Sequence, residues 1–319
     1  MPNSRARARA DAQARVRTAL CAGLLAVSAG LLGACAPTAD AAADPRPLVL
    51  TTFTVLADMA QVVAGPDVRV ESLTGVGTEI HGYEPTPDDL RRADGADLLL
   101  ANGMGLEVWL EQLVAPLDLP TVVLTDGVEP LSIAGSAHAN PHAWMSPATG
   151  RAYVAAIADA LTPLVPERAA DIAARAAAYD AELATLQTEL VARLDALEPG
   201  RRLLVTCEGA FSYLARDAGL DEAFLWPVNA ERQGTPQQVA AVIRRVREAD
   251  VPAVFCESTV SPTAQLQVAR ETGARFGGTL YVDSLSEPDG PVPTYLDLLR
   301  HDVDVVVEGL TGAPGEEAA

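Results

Sequence analysis

The chain has 319 residues, 49% of them hydrophobic, which allows a substantial core and argues against global disorder. Only 4% are aromatic and the formal charge is −20, which argues against a base-stacking platform or a surface for phosphate backbones and anionic lipid. There is no Lys. The first 35 residues hold five Arg against one acid, so the remainder carries about −24, a field that attracts cations over long range.

The basic stretch ending at Arg17 runs into an apolar segment, residues 18–34, rich in Ala and Gly. A basic region followed by an apolar one of this length reads as a secretory signal, and a membrane span is the alternative. Leu32-Gly33-Ala34 before Cys35 resembles a bacterial lipobox, which implies cleavage there and lipidation of Cys35; a plain secretion signal is the other reading. The expected division is signal peptide 1–34, lipidated Cys and tether 35–46, and a flexible acidic tail 312–319. Cys21 then leaves with the signal and Cys35 carries lipid. Cys207 and Cys256 remain, in an oxidising compartment.

From Leu48 onward, apolar β-branched runs alternate with helix-period segments. Strands are predicted at 48–52, 68–73, 97–101 and 121–124, with helices between them starting near Val55, Pro87 and Glu107. Residues 147–197 show a long Ala-, Leu-, Glu- and Arg-rich helical pattern, interrupted at Pro163 and Pro166. Alternation then resumes, with strands at 202–206, 223–226, 253–256 and 279–282. Their helices follow near Ala210, Thr235, Ser261 and Thr294. This pattern predicts an α/β fold: two lobes with parallel sheets, joined by a long rigid backbone helix. The expected boundaries are 47–146 for the N-terminal lobe, 147–198 for the connecting helix and 199–311 for the C-terminal lobe. Ligands of such sheets sit in the crevice beyond the strand carboxyl ends.

His81 lies in H-G-Y-E-P-T-P-D-D, where Thr86, Pro87 and Asp89 form a capping box that starts a helix and steadies the loop before it. His142 lies in N-P-H-A-W-M-S-P, between two prolines and beside Trp144, where an imidazole is held at low entropic cost. His138 and His301 have ordinary loop and helix-surface settings. Glu208 and Asp283 each follow a predicted strand of the second lobe. Singly, each acid reads as a helix cap or loop residue, and each His as structural. Jointly the four form a candidate site in the interlobe cleft.

H-G-Y-E-P-T-P, N-P-H-A-W-M-S-P, C-E-G-A-F-S-Y-L-A-R-D and F-L-W-P-V-N-A-E-R-Q-G-T-P together resemble the cluster A-I metal-binding solute-binding lipoproteins of manganese/zinc ABC importers, closest to the manganese branch. The resemblance spans about residues 48–310. It implies that His81, His142, Glu208 and Asp283 bind one metal ion per chain. Many members carry Asp where this chain has Asn140 and Ser146, a departure at the neighbours of His142.

Two imidazoles and two carboxylates suit Mn²⁺, with Zn²⁺ or Fe²⁺ as alternatives; a third His at position 208 would favour Zn²⁺. The resemblance further implies an ABC importer permease as partner and attachment by the lipid anchor alone, at the outer face of the cytoplasmic membrane. It implies a monomer, no nucleic acid and no enzymatic step. A surface adhesin and a metallohydrolase are the competing functions, and the latter needs an open coordination position and a general base. Cys207 and Cys256 each end a predicted strand, close enough for a disulfide if the strands are neighbours. That bridge reads as a structural staple or, because Cys207 adjoins Glu208, as a redox control on the site.

Overall fold

Four short strands of the first lobe form a parallel sheet in the order β2-β1-β3-β4, from β1 (Leu48–Thr51), β2 (Arg69–Ser72), β3 (Leu98–Ala101) and β4 (Thr121–Val123). The central strands LVLT and LLLA are almost continuously buried, as strands covered on both faces must be. The edge strand RVES stays half-exposed and polar. The computed structural model describes residues 44–134, 138–228 and 234–311; the expected signal peptide, lipidated Cys35 and acidic tail lie outside them. Among the described residues, no helix is long and apolar enough to cross a membrane.

Helix α1 (Thr54–Ala64) follows β1 and buries Val55, Leu56, Met59, Ala60 and Val63 along one face. Helix α2 (Pro87–Asp94) starts at the capping box, with Thr86 and Asp89 bonding reciprocally. The helix predicted from Glu107 is only α3 (Leu110–Val114). Glu107 instead turns its carboxylate back to accept from Asn102 N–H (2.7 Å), Gly103 N–H (3.1 Å) and the Thr52 hydroxyl (2.7 Å). It thereby closes the end of β3.

The connector divides into two helices at the interruption expected from its prolines. Helix α4 (Pro147–Leu161) ends before Pro163, a short 3₁₀ turn spans Pro166–Arg168, and α5 (Ala169–Asp195) resumes. Proline's missing N–H and ring clash explain the break. Helix α5 runs 27 residues, about 40 Å at 1.5 Å per residue. Its buried stripe of Ile172, Tyr179, Leu183, Leu186, Leu190 and Leu194 packs against α4 and α1 and against helices of the second lobe. This long helix is the spine.

The second lobe contains β5 (Leu203–Glu208), β6 (Asp221–Trp226), β7 (Ala253–Glu257) and β8 (Arg275–Leu280), which pair as two parallel ribbons, β5-β6 and β7-β8. Helices α6 (Ser212–Ala218), α7 (Pro236–Ala249), α8 (Thr263–Thr272) and α9 (Tyr295–Thr311) cover them. Strands β5 and β7 lie side by side, and side chains bridge their seam. The Gln265 amide donates to the carbonyls of Val205 (3.1 Å) and Phe255 (2.8 Å), and Cys207 and Cys256 form a disulfide with Cα atoms 4.9 Å apart.

The last strand starts earlier than its predicted range, 279–282. Gly277 and Gly278 weaken the local strand signal, but the glycine is needed, because a Cβ at Gly277 would run into the Phe255 ring. Tyr281 and Val282 lie past the ladder, so Asp283 stands three residues beyond β8 instead of at its end.

Candidate metal centre

His81 sits on the loop between β2 and α2. Glu79 shapes that loop by accepting the N–H groups of His81 (2.8 Å) and Gly82 (2.9 Å), while Trp109 Nε1 donates to the Ile80 carbonyl (2.9 Å). Farther along, Asp89 gathers Thr86 N–H, the Tyr83 hydroxyl and Arg92. Burial opposes its charge, yet these donors hold its carboxyl down at about 2.

His142 precedes a 3₁₀ turn, Ala143–Met145, that leads into α4. The Asn102 amide fixes the Pro141 carbonyl (3.0 Å), and Tyr153 fixes Asn102 in turn (2.6 Å). The indole of Trp144 lies 5.2 Å from the imidazole, centre to centre, and donates to the Val282 carbonyl (3.0 Å) one residue before Asp283. Glu208 is the last residue of β5. Asp283 accepts from the Thr259 hydroxyl (3.2 Å).

The four side chains predicted from sequence converge. His81 Nε2 lies 3.2 Å from His142 Nε2 and 3.3 Å from Glu208 Oε1, and His142 Nε2 lies 3.5 Å from the same oxygen. One donor atom from each, Asp283 included, falls within 4.8 Å of the others, and all four residues are buried. Two ligands each about 2.1 Å from one ion stand about 3.0–3.4 Å apart at octahedral to tetrahedral angles; two of these spacings fall in that range and the third, 3.5 Å, lies just beyond it. Burial pushes the His81 imidazole down to about 4; burial and then the neighbouring His81 push the His142 imidazole well below its ordinary value. Both rings are therefore neutral near pH 7, the form whose nitrogen lone pair binds a metal.

The departures from the family pattern have defined roles. Asn140 Oδ1 accepts from His142 Nδ1 (2.8 Å), and Ser146 caps α4 at Ala148 N–H (3.2 Å) and donates to Asp217 (2.5 Å). His138 is exposed, and His301 lies on α9 against the Thr279 carbonyl (3.2 Å); neither joins the cluster.

Glu257 is the acid that sequence reasoning missed. It ends β7 as Glu208 ends β5, and its Oε2 accepts the Glu208 N–H (3.2 Å). The repeated Cys-Glu at two strand ends was the available signal. Burial above all, with Asp283 adding repulsion, raises its carboxyl to about 8.

Two parallel-sheet lobes that meet at buried imidazoles and carboxylates define the class, a two-lobed metal-binding protein. The chain is 48% identical over 265 residues to the iron-binding protein YfeA of Yersinia pestis, covering 82% of this chain and 85% of that one. It is 32% identical over 264 residues to the manganese-binding lipoprotein MntA of Halalkalibacterium halodurans, covering 82% and 88%. The Mn-bound periplasmic metal binding protein from candidatus Liberibacter asiaticus shares the fold at a TM-score of 0.78 and 36% identity, covering 83% of this chain and 100% of that one. The chain belongs to the ZnuA family, described as zinc-uptake complex component A, periplasmic, whose pattern matches residues 49–309. The family comprises substrate-binding proteins of ABC metal importers, as the sequence motifs implied, and the two-lobe parallel-sheet fold is the expected one.

Proposed function

We propose that this protein captures one divalent transition-metal ion, Mn²⁺ first and Fe²⁺ next, and passes it to the permease of an ABC importer. The observation that carries this reading is the convergence of His81, His142, Glu208 and Asp283, all buried, with one donor atom from each within 4.8 Å of the others. His81 and His142 supply nitrogen from the first lobe, and Glu208 and Asp283 supply oxygen from the second. The doubly charged cargo balances two carboxylates that would otherwise be costly to bury as a pair.

The mixed nitrogen and oxygen set supports Mn²⁺ and Fe²⁺ over the sulfur- or histidine-rich sets that favour Zn²⁺. The names of the relatives, one iron-binding and one manganese-binding, agree with that pairing. Four protein groups, two of them able to bind through both oxygens, leave little room for the water a metallohydrolase needs. An adhesin would have no use for a buried ion site.

On this reading, residues 47–146 and 199–311 are the lobes and 147–198 the connector. Cys35 anchors the mature protein, as a monomer, to the outer face of the cytoplasmic membrane. The long α5 spine restrains lobe motion, so loading consists of a small closure over the ion.

Competitive titration of Mn²⁺, Fe²⁺ and Zn²⁺ into anaerobically purified protein, followed by metal analysis, tests the assignment. Mn²⁺ or Fe²⁺ should be retained at one per chain and raise the melting temperature. Retention of Zn²⁺ alone, with no stabilisation by Mn²⁺, overturns it. Tight Zn²⁺ binding alongside Mn²⁺ is expected from the affinity order of divalent metals.

A further inference from the structure

We propose that Asn140 is a positioning residue that ties the histidine side of the metal centre to the carboxylate side, and that its place in this chain demands an amide. The inference rests on the reading above that His142 and Glu208 hold the same ion.

Asn140 is fully buried, and its backbone is pinned from both sides. Its N–H donates to the Leu131 carbonyl (2.7 Å), and its own carbonyl accepts from the Tyr213 hydroxyl (2.9 Å). The orientation of its side-chain amide follows from two backbone groups of fixed character. Oδ1 faces the His142 N–H at 3.1 Å, which can only donate. Nδ2 faces the Gly209 carbonyl at 2.7 Å, which can only accept. Turning the amide over would set donor against donor and oxygen against oxygen.

With Oδ1 so placed, the His142 Nδ1 atom 2.8 Å away must carry the ring proton. That leaves the bare Nε2 lone pair facing His81 and Glu208, as metal binding requires. The other end of the amide reaches the second lobe. Gly209 directly follows Glu208, and Nδ2 also meets the Ser212 hydroxyl (3.0 Å), which donates to Glu222 (2.7 Å). One side chain thus sets the tautomer of one ligand and holds the strand end that carries another.

A carboxylate at this position could still accept from His142 but would oppose an oxygen to the Gly209 carbonyl. An aliphatic side chain would lose both halves and leave buried groups unpaired. Asn140→Asp therefore separates the tie from the tautomer, and Asn140→Ala removes the two together.

The test uses the mature chain, its Asn140→Asp and Asn140→Ala variants, and His142→Ala as the marker of lost binding. Mn²⁺ affinity is measured by titration, and the His142 tautomer of metal-free protein by long-range ¹H–¹⁵N NMR. In Asn140→Ala, Mn²⁺ should bind about 10–100-fold more weakly, the usual range for an outer partner of a metal ligand, and His142 should show a mixture of tautomers. Asn140→Asp should keep the Nδ1–H tautomer and still lose affinity by a similar factor.

An unchanged tautomer in Asn140→Ala overturns the positioning role. Asn140→Asp binding Mn²⁺ within about threefold of wild type overturns the demand for an amide. The tautomer is read without metal, so it decides the positioning role even if wild type took up no Mn²⁺, a result that would instead count against the proposed function. Should Asn140→Ala fail to fold, the Asp variant still decides the tie to Gly209.

Discussion

The two sides of the metal centre hold their donors by different means. On the histidine side, His81 and His142 lie on irregular loops, and hydrogen bonds from Glu79, Trp109, Asn102 and Asn140 fix the backbone around them. On the carboxylate side, Glu208 is the end of a strand, bonded through its N–H to Glu257 and next to a disulfide that staples β5 to β7. Loop-held donors depend on a few local bonds, each open to substitution one at a time. A strand-held donor takes its rigidity from the sheet and its seam, so changes far from the ion reach it.

The sharpest break comes from removing a donor outright. His142→Ala should weaken Mn²⁺ binding by at least about 100-fold, beyond the usual loss for an outer partner. It should also abolish metal-dependent stabilisation, which in wild type reaches about 2.7 kcal/mol at a hundredfold excess over Kd. Differential scanning fluorimetry with Mn²⁺ and with chelator checks both, and an equal shift in wild type and variant would remove His142 from the site. The second break falls on the seam. The Cys207 and Cys256 pair spans 49 residues of sequence, so replacing both by Ser should cost about 4 kcal/mol on the chain-entropy model. If the seam also positions Glu208, reduction weakens Mn²⁺ binding in the same step. Unchanged affinity with and without reductant would leave the bridge as a staple only.

Acid and base should separate the two sides by sign. Burial holds His81 at about 4, against an ordinary 6.5, so between these values the unfolded chain binds more protons than the folded one. Its contribution to metal-free stability is complete above pH 6.5 and disappears as pH falls through 4, a swing of about 3 kcal/mol. Glu257 works the other way. Burial raises it to about 8 from 4.5, so the folded chain keeps a proton that the unfolded chain has lost. That contribution is complete below pH 4.5 and disappears as pH rises through 8. The two slopes oppose each other between pH 4.5 and 6.5, so in melting curves of the metal-free protein Glu257→Gln, which removes the falling one, should steepen the rise below pH 6.5 as well as flatten the fall above it. Parallel profiles for wild type and Glu257→Gln would contradict this.

How much of this was legible in the sequence follows the same division. The stiff loops around His81 and His142 and the strand end at Glu208 are local features open to sequence reading, whereas Asp283, expected at a strand end, stands three residues beyond β8. The seam was not legible, because it is made by groups distant in sequence: Gln265 reaching Val205, and Glu257 reaching Glu208. Gly277 and Gly278 hid the start of β8, since Gly277 admits the Phe255 ring and Gly278 the Val305 side chain, contacts with no local signature. The break in the connector, by contrast, was legible, because Pro163 and Pro166 interrupt the strong helical composition on either side and the helix divides there.

The smallest effect asks what steadies the His81 loop. The capping box at Thr86 lies five residues past His81, whereas Glu79 bonds the His81 N–H itself. Thr86→Ala removes the acceptor for Asp89 N–H and a donor to Asp89, which should cost about 1 kcal/mol of stability, as lost helix caps do. Asp89 would still be held by Tyr83 and Arg92, and the turn at Glu79 would be untouched. Mn²⁺ affinity should therefore stay within about threefold of wild type, while Glu79→Ala, an outer partner in direct contact with the ligand backbone, should weaken it by about 10-fold or more. The reverse order of the two variants in a single titration series would move the anchor of His81 from the turn to the helix cap, and His81 would then depend on an element of regular structure, as Glu208 does.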